Sequence, residues 1–194
     1  MAERRLGRFL RVKRRYVGGI LSGAKRSTIR LGIIRLTSNR LYVECEGLVY
    51  GEVIVDSIKY AKLSELSEED AVVDGFESLG EMREALTGIY PGIGDEDWVT
   101  VIRFRLVAKY ERPVSRYEVE EGWKLTSWDY VLHLTKLAKM YNMARDVHEL
   151  RVLNAIASSK SLEEACESLG GVSDSYVKAI VARMRRRLRR IGVV

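Results

Sequence analysis

Residues 23–30 read GAKRSTIR, which places a lysine, a threonine and two arginines within six positions, just after a glycine and an alanine. A threonine hydroxyl is a weak nucleophile until a base removes its proton. A lysine amine is such a base when burial or nearby cations lower its pKa; Lys25 has Arg26 beside it and Arg30 close by. An acid brought in from elsewhere in the chain can then protonate a leaving amine. The same set also serves binding without chemistry. Lys25 and Arg26 suit a phosphate, Thr28 suits a base or ribose, and Tyr90 offers a stacking face of the kind that single-stranded RNA recognition uses. A third arrangement is structural, with Arg30 paired to Asp74 as a cleft support. The residues alone leave all three open.

The elements that must hold these residues are legible in outline. The stretch 8–14 alternates apolar and basic side chains, as a half-buried strand does. Tyr16, Val17, Ile20 and Leu21 have helical spacing, with Gly23 placed to end the helix. Residues 33–45 read as a hairpin turning at Ser38-Asn39, and 48–60 as a long β-rich run. Two short capped helices are expected from Ser67 and Ser78, with Asp70 and Glu81 three positions on. The run 98–110 is a strand with Ile102, Phe104 and Leu106 on one face and Arg103 and Arg105 on the other. Pro113 is expected to end it. Beyond that point the pattern is helical, with Ser127, Ser161 and Ser173 as N-caps. The domain reading is therefore 1–112, a linker over 113–126, and a helical domain over 127–194.

Composition narrows the partners. The chain has 194 residues, 46% apolar and 31% charged, a globular balance. It contains no apolar run long enough to span a membrane and no secretory-signal pattern at its amino terminus, so the cytoplasm is the expected compartment and no membrane partner is expected. Cys45, Cys166, His133 and His148 are too few and too scattered for a metal site. No metal or cofactor is expected, and both thiols are read as ordinary. Glutamine is absent and arginine dominates lysine, a composition that hints at a hot-growing source.

The net charge of +6 is unevenly spread. Residues 1–30 carry ten bases and one acid, 44–97 fifteen acids and three bases, and 178–194 seven bases and no acid. Two basic poles are the electrostatic footprint of a polyanion partner. In the last helix Val177, Ile180, Val181, Met184, Leu188 and Ile191 form one apolar stripe. Lys178, Ala182, Arg185 and Arg189 lie opposite, with Arg183, Arg186, Arg187 and Arg190 widening the basic surface. With the preceding short helix and glycine turn this gives a helix-turn-helix outline. In such a motif Asp174, Ser175, Tyr176 and Lys178 would approach base edges and the arginines would hold phosphates. The alternative is a packing bundle whose arginines serve the helix terminus.

The octapeptide fits G-x-K-x-x-T-x-R and resembles the signature of the ASCH domain, a PUA-like β-barrel. Asp74-Gly75-Phe76, a capped helix, IYPG at 89–92 and the strand from Trp98 follow in that family's order, so the resemblance covers about residues 8–110. It implies an α+β chain, with an ASCH barrel and short flanking helices followed by the helical module. It also implies a cleft lined by the signature residues that binds RNA or nucleotides. A small subgroup hydrolyses acetylcytidine, with the lysine as base, the threonine as nucleophile and an acid as proton donor. Carried over, these are Lys25, Thr28 and Asp74, the subgroup having glutamate where this chain has aspartate. RNA, single-stranded or structured, is the leading partner. The expected contacts are Lys25, Arg26, Thr28, Arg30, Tyr90, Lys178, Arg185, Arg186 and Arg189. An acetylcytidine-type amidohydrolase and a DNA-binding regulator with a ligand-sensing barrel are the alternatives.

Overall fold

The computed structural model describes residues 3–194. The chain divides into two compact units, one holding the described residues up to Glu46 with Tyr50–Lys109, the other Gly47–Val49 with Tyr110–Val194. No helix among the described residues is long and apolar enough to cross a membrane.

The first unit is built on strands β1 (Arg4–Leu6), β2 (Phe9–Arg11), β3 (Ser27–Leu31), β4 (Ile34–Leu36), β5 (Arg40–Cys45), β6 (Leu48–Lys62) and β7 (Trp98–Ser115); β6 and β7 contribute residues to both units. Helices α1 (Arg14–Ser22), α2 (Glu68–Val73) and α3 (Leu79–Ile89) lie between them in sequence, with a 3₁₀ turn at Leu63–Glu65. Five strands form one sheet in the order β2-β5-β6-β7-β3, and β1 and β4 form a separate parallel pair. β2 runs parallel to β5, with Phe9 opposite Tyr42. β3 runs antiparallel to β7, with Thr28 opposite Ile102 and Arg30 opposite Thr100.

Alternation along β7 sorts the core into two layers. Val99 and Val101 join Ile29, Ala71, Met82 and Leu86 in one cluster. Phe104 joins Leu10, Ile20, Leu41, Val43 and Val53 in the other, with Leu106 packed against it. Arg103, on the α2 side, bonds Glu69 and Asp70 of that helix. Gly51 marks a close approach, since a Cβ there would stand 2.4 Å from the Ala108 carbonyl oxygen. Gly51→Ala is expected to cost about 1–3 kcal/mol of stability, read as a lower urea midpoint.

The strand order ends at β2 and β3, yet these two edges converge. The Arg30 guanidinium donates to the Arg11 carbonyl oxygen at 2.6 Å. Among the described residues the gap is spanned by side chains and not by a ladder, so the sheet is curled without being closed.

Three expectations need correction. Residues 33–45 are not a hairpin: β4 pairs with β1, whereas β5 enters the large sheet beside β2. The tight turn lies instead at Glu46-Gly47, where both residues have positive φ, the geometry of a two-residue hairpin loop. Pro113 does not end its strand, because β7 continues to Ser115. A proline is accepted in a strand where its nitrogen owes no ladder bond. The stretch 113–126 carries the end of β7 and helix α4 (Arg116–Gly122).

The second unit is helical, with α4 followed by α5 (Trp128–Met140), α6 (Val147–Ser158), α7 (Leu162–Ser168) and α8 (Asp174–Arg190). Ser115, Ser127, Asp146, Ser161 and Ser173 each accept a backbone N–H at the start of a helix, which satisfies donors that a helix leaves unpaired. α8 is the central helix and packs against α4, α5, α6 and α7. Gly122 lets α4 approach closely, since a Cβ there would meet the Lys178 and Ala179 backbone at 3.2 Å.

Candidate functional site

The gap between β2 and β3 holds a pocket of about 290 Å³, near the lower end of small-ligand sites. Lys25, Thr28, Arg30, Asp74 and Tyr90 all line it. Arg26 is exposed and is not among the lining residues. The alternation of β3 explains part of this: Ile29 points into the core and Arg30 toward the opposite edge strand.

The floor of the pocket is a buried ion pair. Lys25 is 6% exposed and Asp74 5%. The Lys25 Nζ donates to Asp74 Oδ2 at 2.7 Å and to the Asp74 carbonyl oxygen at 2.7 Å. Ser27, fully buried, donates its hydroxyl to Asp74 Oδ1 at 2.8 Å. The Nζ also lies 4.9 Å from the Tyr16 ring centroid and 5.6 Å from that of Phe76, within cation–π range. Gly75 makes the turn that presents Asp74. Its φ of +87° excludes most side chains, and a Cβ there would stand 3.3 Å from Lys25 Cβ.

Burial drives the Lys25 ammonium below the ordinary lysine value, against the pull of Asp74, and the Arg30 charge lowers it further. Burial likewise raises the Asp74 carboxyl, with Lys25 and Ser27 opposing. Both shifts have the direction that burial alone imposes on a charged amine and a carboxylate. The expected structural alternative is corrected here. Asp74 bonds Lys25 and Ser27 and not Arg30, whose guanidinium goes to Arg11. Lys25 hydrogen-bonds Asp74 and not Thr28.

The walls are apolar and aromatic. Tyr16 from α1, Phe76, and Ala85, Leu86, Ile89 and Tyr90 at the end of α3 line them. Phe76 and Tyr90 are anchored against the core cluster. Arg11, Lys13 and Arg30 supply positive charge. Ser27, Tyr16, Phe76, Arg11 and Lys13 were not singled out from sequence. Phe76 belonged to a quoted motif, and strand alternation could have flagged Ser27.

The helical unit sorts the predicted cations into two sets. Arg183 and Arg187 are structural, which corrects their placement on the basic surface. Arg183 grips Glu118 with two parallel bonds of 2.8 Å and reaches Glu149 at 3.1 Å. Arg187 holds Glu149 at 2.5 and 2.9 Å and the Met143 carbonyl oxygen at 2.7 Å. Burial would raise the Glu149 pKa, but the bonds from Arg187, the Arg145 N–H and Arg183 outweigh it and bring it from 4.5 to about 2.

Arg186 and Arg189 are exposed, Arg185 and Lys178 half-buried. Lys178 lies 3.7 Å from Asp174. Tyr176, expected near base edges, is buried: it stacks on Tyr110 and hydrogen-bonds His148 Nε2 at 2.5 Å. Ile191, expected in the core, is 52% exposed, whereas Ala182, expected outside, is buried. Both cysteines are free and buried, and burial pushes the Cys166 thiol up to about 11.

No protein-family model matches the sequence, and no curated protein matches it. Among solved structures, an ASCH domain from Lactobacillus crispatus is similar at 19% identity, covering 46% of this chain and 68% of that one, with a TM-score of 0.42. A mutant ASCH protein from Zymomonas mobilis is similar at 15% identity, covering 60% of this chain and 78% of its own, with a TM-score of 0.45. A protein of Enterococcus faecalis is 12% identical over 50% of this chain and 73% of its own, with a TM-score of 0.40.

Proposed function

We propose that the protein binds RNA and seats one nucleotide in the pocket between β2 and β3. The observation that carries this reading is the lining itself. Aromatic and aliphatic walls from Tyr16, Phe76, Ile89 and Tyr90 suit a planar base, and Arg11, Lys13 and Arg30 suit its phosphate. The octapeptide resemblance supports the same class of ligand. Calorimetric titration of the full chain with cytidine, uridine and adenosine monophosphates is the test, with inorganic phosphate as the control. At least one nucleotide is expected to bind more tightly than phosphate, and Tyr90→Ala is expected to weaken it about tenfold. Equal affinity for phosphate and nucleotide, or no binding of either, overturns the reading.

A second reading rests on Lys25, Thr28 and Asp74 lining one pocket, with burial lowering the lysine pKa and raising that of the aspartate. Lys25 as free amine takes the Thr28 proton, and Thr28 Oγ bonds to the acyl carbon of an acetylated base. The C–N bond breaks and the amine leaves with a proton from Asp74; water then hydrolyses the ester to acetate. Because Lys25 is tied to Asp74 and not to Thr28, binding ranks first. Release of cytidine from acetylcytidine, abolished by Thr28→Val, would establish the hydrolase.

A further inference from the structure

We propose that the exposed cationic strip of α8, with Tyr117 and Tyr130 beside it, is a stacking platform for single-stranded nucleic acid. The proposal rests on the nucleic-acid reading above but uses a different unit and different residues. Tyr117, in the first turn of α4, is 48% exposed, and Tyr130, in the first turn of α5, is 38% exposed. Each lies against an arginine of α8: the Arg186 guanidinium is 5.6 Å from the Tyr117 ring centroid and that of Arg185 5.7 Å from the Tyr130 centroid.

What sets these two half-exposed rings apart is that each stands beside an arginine of one helix. A guanidinium held near a ring offers a second flat surface for a base, and the ring itself offers the first. Among the described residues the ion pairs of α8 involve Lys178, Arg183, Arg185 and Arg187 and not Arg186, Arg189 or Arg190, although Glu121 is close enough to feel the Arg189 charge. The acids nearby are otherwise engaged. Glu121 is bonded by Lys124 and lies 3.8 Å from Arg185, Glu120 is held by Arg116 at 2.8 Å, and Asp174 faces Lys178. Arg186 and Arg190 therefore offer their charge to a polyanion, whereas Glu121 offsets part of that of Arg185 and Arg189.

The strand state of that polyanion follows from what the helix exposes. Of the residues expected to read a duplex from the first turn of α8, Tyr176 is withdrawn, being 1% exposed and held against Tyr110 and His148. A duplex presents phosphates to this surface but no base faces. An unpaired strand presents both, and arginine beside tyrosine answers both.

The test measures fluorescence anisotropy of the full chain with a single-stranded RNA of about twelve nucleotides and with a hairpin duplex of the same composition, across a salt series. The single strand is expected to bind at least tenfold tighter. Tyr117→Leu and Tyr130→Leu are each expected to weaken it about tenfold with the salt slope unchanged. Arg186→Gln and Arg189→Gln are each expected to reduce the slope by about 0.7. Equal affinity for hairpin and single strand, or tyrosine variants that bind as the parent does, overturns the platform. The pocket is separable from it. Tyrosine-dependent binding of the RNA without mononucleotide binding removes the pocket and keeps the platform; mononucleotide binding with neutral tyrosine variants does the reverse.

Discussion

Asp74→Ala is expected to destabilise the first unit by about 3–5 kcal/mol, the cost of leaving a buried charge uncompensated. The substitution leaves the Lys25 Nζ in a site 6% exposed, with the Asp74 backbone carbonyl as its remaining oxygen partner, and it strips the Ser27 hydroxyl of its acceptor. The loss has a pH signature. Lys25 already has its pKa lowered by burial, with Asp74 opposing; without Asp74 it falls further. A lysine whose folded pKa lies below its unfolded value penalises folding while it is protonated, so the deficit shrinks as pH rises through the folded value. Denaturant unfolding across pH reads this directly. Lys25→Met combined with Asp74→Leu and Ser27→Ala is expected to recover most of the stability, because the apolar set carries no desolvation cost and leaves no buried hydroxyl without an acceptor. Loss of less than about 1 kcal/mol in Asp74→Ala would show that the pair is not buried as described.

Glu149→Gln is expected to cost the helical unit about 3–5 kcal/mol. Glu149, 2% exposed, is the carboxylate that Arg183 and Arg187 share; glutamine keeps one acceptor oxygen, but it removes the charge and turns an amide NH2, itself a donor, toward a guanidinium or the Arg145 N–H. A carboxylate depressed from 4.5 to about 2 contributes about 3 kcal/mol at neutral pH. That contribution is present above about pH 4.5 and is lost as pH falls toward 2. In the first unit, Asp70 behaves alike. Burial raises its pKa, but Lys59, the Ser67 N–H and Arg103 outweigh this and lower it from 3.8 to about 2. Unfolding at pH 7 and pH 3 is the measurement. The parent is expected to lose stability steeply, and Glu149→Gln less so; identical pH slopes for both would contradict the assignment.

Local signals in the sequence located much of the fold. The helix ended by Gly23, the serine caps and the two faces of β7 all rest on short-range chemistry, and the structure has each of them. What failed was non-local. Nothing near Ser38-Asn39 tells that β4 and β5 join different sheets. The Glu46-Gly47 turn was hidden because glutamate is not a usual left-handed residue. Spacing grouped Lys25, Thr28 and Arg30, and a motif added Asp74 and Tyr90; the structure brings all five to one pocket. Arg26 fell outside it, and Tyr16, Arg11 and Lys13 entered through the convergence of two edge strands, which no sequence window contains. On α8, periodicity could not tell arginines consumed by Glu118 and Glu149 from those left in solvent, because the partners lie on α4 and α6.

The central claim is that the pocket between β2 and β3 receives a nucleotide, and photocrosslinking tests it most directly. The full chain is irradiated with 4-thiouridine monophosphate and the modified peptides are identified by mass spectrometry. A mononucleotide too short to engage several arginines of α8 isolates the pocket. The account predicts adducts on peptides carrying Tyr16, Phe76 or Tyr90, suppressed by excess uridine monophosphate. Adducts confined to other peptides, or none that compete with the unmodified nucleotide, would contradict it.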